Sequence, residues 1–515
     1  MKNFIGRFGQ SIQGVLSGFD RLLFRGTLLG LAYVGGMIRF LNLNRVLRKQ
    51  FGAYVERTTE HLEQASLRAA REQRRPVLYL PSSSVSKEDK ARQIASADNV
   101  KEGLICVLRC VEPCSSFRVF GDRSTNHAEL KSYRTKCMHL YHYMIDPVFG
   151  FMHVRLQTWF PFSVQIYVNG REWLARMMDR ERIRYERRDN CFGWIDKVER
   201  AQELANRQIT TPWEQELRRL STIANPALHE ILGRYRAEYY WSLWQSEWAT
   251  DIMFKSPAAL ARIYPQFVMH AITSFGSGDV MRFLGQKVHG NFAGEIVSDF
   301  KHRPEGIRVR HSVEGNSVKM YDKQGSVFRI ETTINRPAGF KVFRRKQGDP
   351  KGKRAWRGMR QGIADLKRRA EVSQLANVRY ADAIAATDTS TPLGQLMQRI
   401  ARPTKWKHKT VRGIRTWSSE DLKLIEAANR GEFCLNGFRN RDLQPFLFAD
   451  PTEDPVERRR RSGYGTRLIR LLRAHRLVRK VAGSHRYKVT PNGREILSAV
   501  LSAQHVTLEA LQKTA

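Results

Sequence analysis

The chain is poor in cysteine and in acidic residues for its length, and it has no long apolar run. Six cysteines in 515 residues are too few for a disulfide framework, so we expect a reducing compartment. The longest apolar stretch near the start, 26–38, is too short to cross a bilayer and has arginines on both sides. These features predict a cytoplasmic protein, or one associated with the nucleoid of a bacterium.

Several signatures of enzyme families are also missing. The sequence contains no GxxxxGK[ST] phosphate-binding loop, no GxSxG elbow and no HExxH metal pair. These absences disfavour a P-loop ATPase, an α/β-hydrolase and a zinc metalloprotease. They leave open whether the chain is an enzyme at all.

What the chain has in excess is positive charge. It carries 88 Lys and Arg residues against 50 Asp and Glu residues, for a net charge of +38 and a pI of about 10.4. Hydrophobic residues make up 42% of the sequence and aromatic residues 10%, which is enough to build cores. A folded protein with such a field indicates a polyanionic partner, either DNA or RNA.

The residue patterns predict a multidomain α+β protein, in which an antiparallel sheet body with helical insertions precedes a C-terminal winged helix-turn-helix. We expect six segments: a mainly helical N-terminal segment (1–75), an antiparallel α+β domain (76–196), a helical region (197–300), a β-meander with a basic and aromatic stretch (301–370), a connector (371–415) and the winged helix-turn-helix (416–515).

The C-terminal segment has the order of a winged helix. Ser418 to Asp421 start a first helix that stops at Gly431, and Asn436-Gly437 turns the chain into a second. A third helix begins near Pro455, two short strands follow around Gly483, and a last helix closes the segment. The stretch HRYKVTPNGREIL resembles the winged-helix domains of MarR-like bacterial regulators, and this resemblance implies binding to double-stranded DNA.

The charge of this segment is consistent with DNA binding. Residues 455–494 hold thirteen Arg or Lys residues and one acid, Glu457. Recognition helices place base contacts near their N-terminal end and phosphate contacts along their flanks. We therefore expect DNA contacts from Arg458, Arg459, Arg460, Arg461, Arg467, Arg470, Arg486 and Lys488. The alternative is a winged helix that contacts proteins.

A second basic stretch, 341–369, carries twelve basic residues and two acids. Phe340, Phe343 and Trp356 are interleaved with the charge, a combination suited to a nucleic-acid backbone with base stacking. We expect contacts from Arg344, Arg345 and Lys346. The alternative is a solvated linker.

The meander offers a first candidate active site. Its second and third strands contain Tyr321-Asp322-Lys323 and Arg329-Ile330-Glu331. Strand alternation puts Arg329, Glu331 and Thr333 on one face, and a short turn would bring Glu331 beside Lys319 or Ser317. These two strings resemble segments of the tyrosine-dependent initiators of rolling-circle replication. That resemblance implies Asp322 and Glu331 as metal ligands and Tyr239 or Tyr240 as nucleophile. The His-apolar-His motif of such nickases is absent.

The segment 239–251 is a second candidate. We expect it to form a helix on which Glu247 and Asp251, four residues apart, share one face. A metal-dependent nuclease or transposase needs two or three carboxylates around Mg²⁺ or Mn²⁺. The metal ligands that we expect are Asp322, Glu331 and Asp251, and the wider set of candidates adds Asp122 and Asp299.

The cysteines suggest a further metal site with a competing explanation. A zinc site could be assembled from Cys110, Cys114, Cys137 and His139, with Cys106 nearby. Residues four apart on a strand are about 13 Å apart, however. We therefore favour buried apolar cysteines.

These patterns together favour a DNA-processing protein of a mobile element: a replication initiator, transposase or metal-dependent nuclease targeted by a winged helix. Two alternatives stay open. One is a non-catalytic regulator or structural DNA-binding factor, and the other is an RNA-binding or RNA-guided protein. A catalytic body would bring several carboxylates within about 4–6 Å of one another in a basic environment.

Overall fold

The computed structural model describes residues 1–81, 85–122, 127–275, 277–286, 296–303, 306–346, 348–349, 351–385, 393–430, 433, 437–448 and 450–504. It shows an α+β protein with a large mixed sheet. The chain divides into two compact units. The sheet unit comprises Ser11–Pro257 and Gly315–Asn377, and the second unit comprises Met1–Gln10, Ala258–Glu314 and Val378–Ala515.

The strands are β1 (Ile12–Thr27), β2 (Val77–Tyr79), β3 (Gly103–Asp122), β4 (His127–Asp146), β5 (Gly150–Gln157), β6 (Val164–Asn169), β7 (Tyr185–Arg188), β8 (Cys191–Ile195), β9 (Tyr240–Phe254), β10 (Ile296–Arg303), β11 (Gly306–Val313), β12 (Asn316–Lys323), β13 (Val327–Ile334), β14 (Lys341–Arg344), β15 (Ala355–Gly358), β16 (Thr404–Trp406), β17 (Lys409–Val411), β18 (Val478–Lys480) and β19 (Tyr487–Val489).

The helices are α1 (Lys2–Phe8), α2 (Val34–Leu43), α3 (Phe51–Ser66), α4 (Arg68–Glu72), α5 (Lys87–Ala97), α6 (Gly170–Arg180), α7 (Val198–Arg207), α8 (Trp213–Ala224), α9 (Leu228–Leu232), α10 (Pro257–Ser274), α11 (Ser277–Phe283), α12 (Leu366–Ala385), α13 (Leu393–Ala401), α14 (Ser419–Asn429), α15 (Asn440–Leu447), α16 (Pro455–Ala474) and α17 (Pro491–Gln504). Within the described residues, no helix is long and apolar enough to span a bilayer.

The sheet unit is built on strands in the order β12-β13-β9-β1-β6-β5-β4-β3-β2. Neighbours in this order are antiparallel, except that the short β2 runs parallel to β3. Because side chains alternate along each strand, Leu22 and Phe24 of β1 point to one face and Arg21 and Arg25 to the other.

One face of this sheet packs on a large apolar core. Leu22, Phe24, Ile166 and Leu243 from the strands meet Trp213 from α8, with further side chains from α2 and α3. The opposite face is covered at one end by a smaller core that includes α6, α7 and the β7–β8 hairpin. At the other end, residues of α5 pack over β3 and β4. The strands between these two covers carry polar side chains on that face.

The second unit contains the hairpin β10–β11, which is antiparallel, and the C-terminal elements. In those elements α14, α15 and α16 precede the antiparallel hairpin β18–β19, and α17 follows it. Their shared core includes Leu424, Leu443, Leu472, Val489 and Leu497. The helices and strands expected after residue 418 are confirmed as elements. The expected stop at Gly431 and the turn residue Asn436 lie outside the described residues.

Several other predicted elements are confirmed. In the 76–196 segment, β3, β4, β5 and β6 pair antiparallel and α6 follows them, as expected of an antiparallel α+β arrangement. The strands β11, β12 and β13 match those of the expected meander, with β12 paired to β13.

One prediction of helix is incomplete and another is wrong. The N-terminal 75 residues contain helices α1 to α4, as expected, but they also contain strand β1, which lies at the centre of the sheet. The segment 239–251 is not a helix, since nearly all of it belongs to strand β9. From Ser246 to Phe254 this central strand is buried on both faces and mixes polar with apolar residues, so its sequence lacks the alternation of a half-buried strand. The tryptophans of β9 suit such a strand.

Candidate active site

The candidate site begins at an irregularity in β1. Phe19 pairs with Trp248 and Arg21 pairs with Glu247, so Asp20 is an extra residue with no partner of its own on β9. Such a β-bulge re-aims a side chain, and bulges are frequent next to active sites. The bulge turns Asp20 toward the face that carries Arg21 and Glu247.

Three carboxylates converge there. One oxygen from each of Asp20, Glu247 and Glu331 lies within 4.8 Å of the others, and all three residues are buried. They come from β1, β9 and β13, which are adjacent in the sheet. We call this group the acidic triad. It is the only group of three or more potential metal-ligating side chains among the described residues.

Cationic and hydroxyl groups surround the triad. Lys319 Nζ lies 2.5 Å from Glu331 Oε1, and the Tyr321 hydroxyl donates to Glu331 Oε2 at 3.0 Å. On the other side, Arg21 Nε lies 3.9 Å from a Glu247 oxygen. The Arg21 side chain is 45% exposed, so Arg21 lies between the buried Glu247 and solvent.

A buried arginine anchors the base of the site. Arg329 forms two hydrogen bonds with Asp251, at 2.5 and 2.9 Å, and donates to Asp20 at 2.9 Å. Arg171 Nη2 lies 2.9 Å from Asp251 Oδ2. The Asn190 amide also donates to Asp20, at 2.8 Å. These bonds fix the orientation of the Asp20 carboxylate.

The start of α6 brings Arg171 into this position. The Asn169 side chain caps the helix by accepting bonds from the backbone N–H groups of Arg171 and Glu172, at 2.9 and 3.0 Å. At Gly170 the helix touches β1 so closely that a Cβ would lie 2.0 Å from the carbonyl oxygen of Phe19. Only glycine permits this approach, and the Phe19 carbonyl that it contacts belongs to the residue before Asp20.

The charges of the site shift the pKa values of its groups. Burial and the neighbouring Glu331 raise the pKa of Glu247 to about 7. Burial acts in the same direction on Asp20, but Arg329 and Arg171 hold the pKa of Asp20 below its ordinary value. Burial would lower the pKa of Lys319, yet Glu331 and Glu247 raise it. Near neutral pH the triad therefore holds a part-protonated carboxyl, Glu247, beside the charged carboxylate of Asp20.

The donor set fits a hard divalent cation. Carboxylate oxygens are the ligands that Mg²⁺ and Mn²⁺ prefer. Burial and, after it, the nearby charge of Glu331 raise the pKa of Glu247, and a divalent cation among the three carboxylates would offset that charge. Asp20, Glu247 and Glu331 are therefore the residues that could hold a metal.

The structure brings together only part of the site expected from the sequence. Glu331 lies in the triad and pairs with Lys319 across the strands, as expected. Asp322 lies on β12 with opposite parity to Lys319 and Tyr321, so it points to the other face. The Asp251 carboxylate is bound by two arginines, which makes it part of the support beneath the triad.

The sequence patterns do not predict Asp20 in the site, and they predict Glu247 only as the partner of Asp251 on a helix. The signal for Asp20 is an acid inside the apolar run Phe-Asp-Arg-Leu-Leu-Phe. Burying a carboxylate in such a run is costly unless cations meet it.

The two candidate tyrosines lie away from the triad. The Tyr239 hydroxyl donates to the carbonyl oxygen of Phe162 at 2.8 Å, and burial raises the pKa of Tyr239 above its ordinary value. Tyr240 is 40% exposed and lines a cleft of about 510 Å³ with Arg344 and Arg360. It precedes Glu247 by seven residues, which is about 23 Å along a strand.

Other metal candidates stay apart from this site. Asp299 lies on β10 in the second unit, where Arg308 donates to it at 3.1 Å. The side chain of Asp122 lies outside the described residues. Cys110, Cys114, Cys137 and His139 are all buried on β3 and β4. Among the described residues they form no group of three with metal-ligating distances, which agrees with buried apolar cysteines.

The basic stretch after β13 forms a hairpin. β14 and β15 are antiparallel, with Phe343 opposite Trp356. These two side chains are 51% and 62% exposed, and their ring centroids are 5.6 Å apart. Arg344 contacts Asp365 at 3.3 Å, whereas Arg345 and Lys346 are exposed at the hairpin end. The hairpin thus presents two aromatic rings and several cations to solvent.

The basic residues expected to contact DNA in the C-terminal elements are mostly exposed. On α16, Arg458, Arg459, Arg460, Arg467 and Arg470 are exposed, and Glu457 binds Arg460 and Arg461 at 2.7 and 2.9 Å. The remaining two, Arg486 and Lys488, are half-buried at β19 and just before it.

Comparisons of the chain with protein-family models, with curated proteins and with solved structures find no match. Function therefore has to be inferred from the geometry and charge of the site itself.

Proposed function

We propose that this chain is a nucleic-acid-binding protein that breaks or transfers phosphodiester bonds with a divalent cation held by Asp20, Glu247 and Glu331. The observation that carries the proposal is the convergence of these carboxylates within 4.8 Å on three adjacent strands. A chain with a net charge of +38 presents this acidic group in a basic field, and such a field attracts polyanions.

The residues around the triad suit this chemistry. When bound, Mg²⁺ or Mn²⁺ would polarise a phosphoryl oxygen and activate a water or a hydroxyl. The half-exposed Arg21 lies where it can bind a phosphate next to Glu247. Glu247 would complete the ligand set with Asp20 and Glu331. Lys319 and Arg329 hold the carboxylates of Glu331 and Asp20 in place.

We further propose that the C-terminal elements are a winged helix that targets the protein to double-stranded DNA. Three helices, a basic hairpin and a closing helix occur in that order. The first two turns of α16 are largely exposed and carry Arg458, Arg459 and Arg460, where a recognition helix would contact DNA. This architecture suits a mobile-element replication initiator, transposase or nuclease.

A second function has its own support. Arg21, Lys319 and Arg329 already pair with the triad, so the same residues could serve only as a buried ion-pair network. The chain would then be a non-catalytic regulator or structural DNA-binding factor. The two functions differ in what binds the Glu331 carboxylate. In the enzyme a divalent cation competes with Lys319 for it, whereas in the regulator Lys319 stays its partner.

Incubation of the protein with supercoiled plasmid and labelled single strands tests the proposal, in Mg²⁺, in Mn²⁺ and in EDTA. We expect metal-dependent cleavage or joining that is lost in Asp20→Asn and Glu331→Gln and kept in Glu60→Gln, an exposed acid on α3. Full activity of both triad variants would refute the proposed centre. Activity of Tyr240→Phe, with no protein-linked DNA end, would exclude a tyrosine nucleophile at that position.

A further inference from the structure

The acidic triad lies at one end of a polar strip on the sheet face between the two covers. Arg21 and Arg25 of β1 point to this face, as do Tyr167 of β6, Arg155 of β5 and Trp244 of β9. Arg21 stacks on the Tyr167 ring at 5.6 Å, and Arg25 stacks on the Trp244 ring at 5.2 Å. We call these five residues the open face.

Trp244 is exposed because of a second bulge. Leu23 pairs with Gln245 and Phe24 pairs with Leu243, so Trp244 is an extra residue on β9. Its side chain is 43% exposed, although the neighbouring Trp241 and Trp248 are buried. A large apolar ring beside a guanidinium in solvent is the arrangement that binds an unpaired base and its phosphate.

Arg25 has no acidic partner. Among the described residues, no carboxylate oxygen lies within 4.0 Å of its guanidinium. Burial and the charge of Arg155 lower the pKa of Arg25 below its ordinary value. Arg25 and Arg155 are thus two neighbouring cations, and within the described part of the chain only Arg155 has a carboxylate partner, Glu112. This arrangement favours an anionic ligand beside Arg25.

β9 continues the open face toward the β14–β15 hairpin. Beyond Trp244, the Leu243 N–H donates to the carbonyl oxygen of Gln361 at 2.6 Å, and Ser242 pairs with Gly362. Tyr240 then lines the cleft with Arg344 and Arg360. The seven residues from Glu247 to Tyr240 span about 23 Å. That length matches about seven stacked nucleotides at about 3.4 Å each.

We propose that the open face binds single-stranded nucleic acid, with a base stacked on Trp244 and phosphates on Arg25 and Arg21, and leads the strand from the β14–β15 hairpin to the acidic triad. The inference rests on the proposed function and names its substrate: an unpaired strand. Paired bases are stacked inside a duplex and do not offer their faces to an indole ring, whereas bases of a single strand do.

Binding of labelled oligonucleotides to the full chain, measured by fluorescence anisotropy in EDTA, tests the inference without requiring cleavage. The probes are a dT 15-mer, an rU 15-mer and a duplex of mixed sequence. We expect Trp244→Ala and Arg25→Ala to weaken dT binding by roughly 5- to 100-fold, the range expected when one base no longer stacks on an aromatic ring. Duplex affinity should change by less than about twofold, because duplex binding is assigned to the C-terminal elements.

Tyr79→Ala provides the matched control, since Tyr79 is an aromatic residue of the same unit, 53% exposed on the edge strand β2. Trp244→Phe, which keeps an aromatic ring, should retain most of the dT affinity. Comparing dT with rU decides whether DNA or RNA is the natural strand. Wild-type dT and rU affinity in both Trp244→Ala and Arg25→Ala would overturn the inference. Failure of the proposed chemistry would appear separately, as normal strand binding with no metal-dependent cleavage.

Discussion

Glu247 allows a direct test of the electrostatics of the acidic triad. Its carboxyl has a pKa of about 7 because it is buried and lies near Glu331, whereas the pKa of a glutamate in an unfolded chain is about 4.3. The folded protein therefore holds a proton that the unfolded chain releases between these two values. The resulting stability is fully present below about pH 4.3 and is lost as the pH rises through about 7.

The size of the effect follows from the difference between the two pKa values. Each pKa unit corresponds to about 1.4 kcal/mol, so ionising Glu247 in the metal-free protein costs roughly 3–4 kcal/mol at high pH. Between about pH 5.5 and about pH 8.5, this group alone should remove about 2 kcal/mol of stability. Because its side chain is only 11% exposed, solvent screening reduces this figure little.

Urea unfolding of the wild type and of Glu247→Gln at the two pH values, in EDTA, measures the effect. Tryptophan fluorescence suits the purpose, because eight of the ten tryptophans lie in the sheet unit. We expect the wild type to lose about 2 kcal/mol more than the variant between the two pH values. Mn²⁺ at about a hundred times its Kd should restore about 2.7 kcal/mol to the wild type at the higher pH. Identical pH dependence of the two proteins would refute the reasoning.

Three further perturbations have expected outcomes. Gly170→Ala should destabilise the sheet unit by about 1–3 kcal/mol in urea unfolding, because the new methyl group would meet the Phe19 carbonyl; Gly52→Ala, with open space at its Cβ, is the control. Arg329→Met should cost about 3–5 kcal/mol by leaving Asp251 short of a partner, and an unchanged melting temperature would contradict this. Replacing the four arginines 458–461 with alanine should flatten the salt dependence of duplex binding by about one unit of slope for each phosphate that is no longer bound. An unchanged slope would exclude these residues as phosphate contacts.

Part of the site could be predicted from the sequence because local rules determine it. The turn after Asp322 is short, so strand alternation and register were enough to place Glu331 beside Lys319. Glu247 and Asp251 were expected on one face of a helix. They share a face of β9 instead, because residues four apart lie on the same side of either element.

The convergence of the triad could not be predicted in the same way. It depends on the sheet order β13-β9-β1, which brings together residues more than 300 positions apart in sequence, such as Asp20 and Glu331. It also depends on a bulge at Asp20. A single extra residue in a strand leaves no recognisable signal in the composition or in the hydrophobic period of a sequence. The winged helix and its partner remain predictions.

The bulges at Asp20 and Trp244 have a consequence for how the sheet tolerates change. From Gly14 to Phe19 and again after Leu23, β1 and β9 pair in one register, and between these stretches the register is shifted by one residue. The extra residue on β1, Asp20, is thus cancelled by the extra residue on β9, Trp244. Deleting Asp20 would leave Phe19 paired with Trp248 and Arg21 paired with Glu247. Deleting Trp244 would likewise leave the pairs on either side of it in place, so the other side chains of each strand would keep their faces. The carboxylate and the indole are therefore additions to a regular strand pairing, and we expect each to be removable without turning its neighbours to the other face.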